Sequence, residues 1–130
     1  MRNGSAIVAA SLAAVLAIPG TSLALDESNF SYETTSDLYQ ICSTEGDSQG
    51  AVEAQLACRA FLEATVQYHD EVSDRKKMKR LICYPKGATI ADARRAFVAW
   101  GAKNIGSAAR MGEIPVVGLV RALAAAYPCK

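Results

Sequence analysis

From Thr34 to the C-terminus, apolar positions recur with a helical period, and no stretch of useful length shows the two-residue alternation of a strand. A first helix is predicted to open at Thr34. There Thr34-Thr35-Ser36-Asp37 sets a hydroxyl cap three residues before an acid, and Leu38, Ile41 and Cys42 then share a face. Ser43–Gly50 has loop composition. A second, longer helix is predicted over Ala51–Val72, free of Gly and Pro, at about six turns. Its stripe is Cys58, Phe61, Leu62, Thr65, Tyr68 and Val72. In the turn Cys83–Thr89, Pro85 disfavours helix and Gly87 permits positive φ. Thr89 with Asp92 then caps a third helix whose face is Ile90, Ala93, Phe97 and Trp100, and Gly101 is expected to end it. Residues 101–114 read as a connection of about 14 residues, longer than bundle links usually are. Pro115 suits the first position of a fourth helix, with Glu113 near its positive end and Val116, Leu119, Val120, Leu123 and Tyr127 as its stripe. The fold expected is all-α, a small four-helix bundle.

The first 24 residues follow different rules. Arg2 is the only charge before Asp26, an apolar and small-residue run extends from Ala6 to Ile18, and Ser22-Leu23-Ala24 follows Pro19-Gly20. That pattern reads as a secretory signal peptide cleaved after Ala24, because the run falls short of the roughly 20 residues a membrane span needs. No Cys follows the run to accept a lipid. Export to the periplasm without membrane insertion is the expectation. Residues 25–33 lack a sustained period and read as an extended lead-in to one helical domain, 34–130.

Export changes how charge and cysteine are read. Removing 24 of the 130 residues leaves 106, and removing Arg2 from the 14 basic residues leaves 13 against 13 acidic ones. A nucleic-acid binder would carry a basic excess, so that class is set aside in favour of a protein partner or none. All four cysteines, Cys42, Cys58, Cys83 and Cys129, lie in the mature chain. An even count in a short exported domain reads as two disulfides, whereas a zinc site would bring close pairs such as Cys-x-x-Cys. In a bundle with antiparallel neighbours, Cys42–Cys58 with Cys83–Cys129 is the pairing that needs least distortion.

Candidate chemistry is sparse. His69 is the only histidine, and no serine sits in a nucleophile-elbow pattern around which it could act. Asp70 and Glu71 diverge by about 100° on a helix, and no glycine-rich phosphate loop is present. The expectation is a protein without catalytic residues, metal or cofactor. Arg75–Arg80 holds five basic residues in six, read either as an anion or lipid-headgroup site or, preferably, as a solvated segment beyond a helix C-terminus. The 101–114 connection reads either as a tolerated insertion or as a protruding element that plugs a partner's cleft, with Arg110 and Met111 near its tip.

The landmarks occur in a recognisable order: Leu38–Cys42 closing a short helix, Ala57-Cys58-Arg59-Ala60-Phe61 in a long one, Ile82–Thr89 leading a capped helix, and Leu123–Cys129 at the terminus. Together they resemble the Rap1a/Tai family of periplasmic immunity proteins. The chain departs from the family's usual Cys-x-Gly-Tyr at Cys58–Phe61 and lacks its frequent His-Pro between the third and fourth helices. The resemblance implies a small helical disulfide-bonded domain, able to form a homodimer, that binds and inhibits a peptidoglycan amidase effector delivered by type VI secretion. A different class, a small periplasmic chaperone of related helical fold that loosens in acid, would need clustered carboxylates, and the 13 acids here are scattered.

Overall fold

The computed structural model describes residues 25–130, so the segment read as a signal peptide lies outside the described residues. Within them the chain is helical and contains no strand. A 3-10 turn, Glu27–Ser31, precedes α1 (Thr35–Ser43), α2 (Gln49–Arg75), α3 (Ile90–Asn104), α4 (Ala108–Met111) and α5 (Pro115–Ala126). The four longer helices are those expected, and both disulfides have the expected pairing, Cys42–Cys58 and Cys83–Cys129, each with Cα atoms 5.0 Å apart.

The expected caps are formed. The Thr34 hydroxyl accepts from the Asp37 N–H while Asp37 accepts from the Thr34 N–H, and Thr89 with Asp92 repeats this box on α3. Burial raises the Asp37 carboxyl, but hydrogen bonds from the Thr34 side chain and backbone and from Asn29 outweigh it and hold the group below its ordinary 3.8. Hydrogen bonds from the Thr89 side chain and backbone lower Asp92 likewise. Gly87 takes φ +84°, as its turn requires.

Residues 25–33 are not an extended lead-in. Asp26 caps the 3-10 turn, buried Asn29 donates to Asp37 at 3.2 Å, and the Tyr32 ring stacks on Phe61 with centroids 5.1 Å apart. Five residues in a 3-10 turn are too few to display a period, which is why the pattern is silent there.

α1 lies at the centre, packed against α2, α3, α5, α4 and the 3-10 turn. Thr35, Leu38, Ile41 and Cys42 are buried, and Leu62, Ile82, Phe97, Leu119 and Leu123 close around them. Two glycines decide how near its neighbours come. A Cβ on Gly101 would stand 2.2 Å from Tyr39 Cδ2, and one on Gly118 would stand 2.2 Å from Thr35 Oγ1. Gly101 therefore does not end the third helix. It is a buried notch inside α3, which continues to Asn104.

The stripe of α2 is also displaced. Ala51, Ala54, Cys58, Leu62 and Ser73 are buried, whereas Tyr68 is 73 % exposed. A helix of 27 residues is about 40 Å long and α1 about 13 Å. The end of α2 thus outruns the apolar core, and Arg80, Leu81 and Tyr84 lie beside it instead.

The notches predict a sign reversal. Gly118→Ala raises helix propensity yet forces a methyl into fully buried Thr35, and should destabilise by about 1–3 kcal/mol in urea unfolding. Gly50→Ala, in the first turn of α2 with nothing within 4 Å, should be neutral or stabilising by up to about 1 kcal/mol. Equal effects at the two sites would contradict the notch. The capping acids predict a pH dependence. A carboxyl lowered in the folded state contributes stability that is present above 3.8 and is lost as pH falls through its lower folded value. The urea midpoint should therefore drop as pH falls below about 4, and by less in Asp37→Asn.

Candidate partner-binding surface

The segment expected to protrude as a loop is largely helical and is anchored in the core by buried Gly101 and Met111, while most of its other residues are exposed. α3 takes its first four residues, and Ser107 caps the single turn of α4, leaving the links Ile105–Ser107 and Gly112–Ile114. Met111 is 5 % exposed and α4 packs on α1 and α3, so Met111 cannot be the tip of a plug. Arg110, beside it, is exposed. Three glycines in 101–112 give this stretch loop composition. Ser107 followed by Ala108-Ala109 was the available sign of a capped turn.

At the far end of α2, polar groups hold the basic segment. The Leu81 N–H donates to His69 Nε2 at 3.2 Å, so that nitrogen keeps its lone pair and Nδ1–H donates to Asp70 Oδ1 at 2.9 Å. The side chain is 9 % exposed with both nitrogens committed, which makes His69 a clamp between α2 and residues 80–83. Arg80 bridges Asp70 at 3.2 Å and Asp74 at 2.9 Å, and Arg75 pairs with Glu71. α2 itself ends with Met78 N–H on the Ser73 carbonyl, Lys77 N–H on that of Asp74, and Lys77 at φ +52°. That is a Schellman closure with lysine where glycine is usual. Of the five basic residues two are structural. Lys76, Lys77 and Lys79 are exposed, with no carboxylate within 4.0 Å among the described residues.

Tyr84 lines a cleft of about 380 Å³ with Val66, Asp70, Ile90 and Ala93. Its hydroxyl is buried without a hydrogen-bond partner among the described residues, and the phenol is pushed up to about 12, first by burial and then by the charge of Asp70. It is a neutral donor at any physiological pH. Among the described residues no group of three or more His, Cys, Asp or Glu could hold a metal, and all four cysteines are in disulfides.

The largest departure from the expected apolar pattern is on α5. Its buried residues are Pro115, Gly118, Leu119, Ala122 and Leu123, whereas Val116 and Val117 are each 39 % exposed and Val120 is half-buried. The helix is apolar almost all round, so periodicity admits more than one register. The Gly118 notch against Thr35 selects the one that turns Val116 outward and leaves Val120 half-buried at the rim of the core. With Leu81, 59 % exposed, and Ala124 they line a groove of about 480 Å³. Arg121 stands on its edge, held by Glu113 at 2.6 Å and 3.2 Å. Of the stripe expected on this helix, only Val116 is exposed, while Leu119 and Leu123 are buried and Val120 and Tyr127 pack against the core.

No helix among the described residues is long and apolar enough to cross a membrane. No curated protein and no solved structure matches the sequence. Residues 34–129 do match a family described as Rap1a immunity proteins, and that range takes in the capping box of α1, every longer helix and both disulfides. The chain belongs to the Rap1a immunity protein family.

Proposed function

We propose that this protein is an exported, non-catalytic immunity protein that neutralises a peptidoglycan amidase effector of type VI secretion in the periplasm. The observation that carries the reading is the family match across 34–129, the whole disulfide-bonded domain. Two disulfides suit an oxidising compartment, and the charge and apolar pattern of residues 1–24 supplies a route to it. Neutralisation needs no chemistry from the inhibitor, only a rigid surface that occupies or covers the effector's cleft. The commitment of both His69 nitrogens to structural hydrogen bonds is consistent with that. Exposed Arg110, on a turn anchored by buried Met111, is a candidate contact at the edge of such a surface.

Co-expression with candidate amidase effectors from the same genome tests the reading. The full chain should rescue cells from lysis, and a version starting at Leu25 and confined to the cytoplasm should not. Intact mass of the periplasmic protein should show loss of the first 24 residues. Arg110→Glu should weaken binding without lowering the melting temperature. Failure to bind or neutralise any cell-wall hydrolase would sink the immunity role, and equal rescue by the unexported chain would sink the compartment.

A further inference from the structure

The groove on α5 has the shape and charge of a docking site. Val116, Val117, Val120 and Ala124 lie within a nine-residue stretch, about 12 Å of helix, and Leu81 closes the groove from the neighbouring segment. That length accepts two turns of a helix or about four residues of a strand. Its one charged lining residue, Arg121, is paired with Glu113, and the unpaired charges of the segment leading to Leu81 are cationic. Arg121 lies on its edge, and Lys79 stands two residues before Leu81, with Lys76 and Lys77 further along the same segment. The fit is made in advance, because Cys83–Cys129 and the bond from Cys83 N–H to the Tyr127 carbonyl at 2.9 Å fasten that segment to the end of α5.

Lys77 adds an independent sign. Its left-handed backbone would relax with glycine, and the lysine there has no carboxylate partner among the described residues. Strain kept at an exposed charged turn points to a use outside the fold.

We infer that this groove receives an amphipathic segment of the effector, two or three apolar side chains between α5 and Leu81, with carboxylates meeting Lys76, Lys77 and Lys79. The inference rests on the immunity role and names the face that performs it. Charge decides between occupants. A second copy related by a twofold axis would set the same patch against itself and bring its cations together. A flat anionic lipid surface would meet the lysines and leave the concave valine groove unfilled.

The test uses the full mature chain and the amidase effector it neutralises on co-expression, with affinity measured by calorimetry at two salt concentrations. Val117→Asp should weaken binding at least tenfold. Lys76→Glu/Lys77→Glu/Lys79→Glu should weaken it comparably and flatten its salt dependence. Lys77→Gly separates binding from folding, since it should raise the melting temperature while lowering affinity. If Val117→Asp unfolds, the exposed lysine variants decide the question alone. Wild-type affinity in these variants overturns the groove assignment while the immunity role stands. Loss of self-association in Val117→Asp, with effector affinity unchanged, gives the groove to a second copy and also overturns it. A wild-type chain that binds no amidase instead removes the reading on which the inference rests.

Discussion

The structure depends on how a helix of nine residues is held at the centre of the molecule. α1 is too short to persist alone, since a helix of that length is marginal in water. Both of its ends are satisfied by other elements. At its start the Thr35 N–H and hydroxyl both donate to the Glu113 carbonyl, at 2.7 Å and 2.9 Å. At its end Arg94 of α3 donates to the carbonyls of Cys42 and Thr44, where a helix terminus favours positive charge, and Cys42 is bonded to Cys58 of α2. Along its length Thr35 and Tyr39 fill the notches at Gly118 and Gly101, so α5 and α3 approach more closely than a side chain at either glycine would permit.

The outer surface follows from this inner fit. With Gly118 seated on Thr35, the rotation of α5 is settled, and valines that would serve equally well as core face outward. The second disulfide and the His69 clamp fix the segment that completes the groove opposite them. In the chain-entropy account two loops of these lengths contribute on the order of 3 and 4 kcal/mol by restricting the unfolded chain. They also remove freedom that a binding surface would otherwise lose on association. A small core and a preorganised face thus have the same cause.

Much of this was legible in the sequence where local chemistry is self-sufficient. Thr34 with Asp37, Thr89 with Asp92, Pro115 and Gly87 each state a backbone requirement that no tertiary contact overrides. Cysteine count and helix order were enough for the disulfide pairing. The misreadings share a physical origin, because glycine has two meanings that composition cannot separate. Gly101 has the local look of a stop and is a notch, and Gly106 and Gly112 give loop character to a stretch whose Met111 is buried. Periodicity likewise fails where a helix is apolar all round, as in α5, or outruns its core, as in α2. Arg94, which completes α1 from 50 residues away in sequence, carries no local signal at all.

Native-state hydrogen exchange on the mature domain tests the central position of α1 most directly. Its amides, from Leu38 to Ser43, should exchange only through global unfolding, with the same free energy as the most protected amides of α2 and α3. That free energy should fall together for all three helices in Gly118→Ala. Exchange of α1 amides through a local opening of lower free energy, with α2 and α3 still protected, would contradict the account.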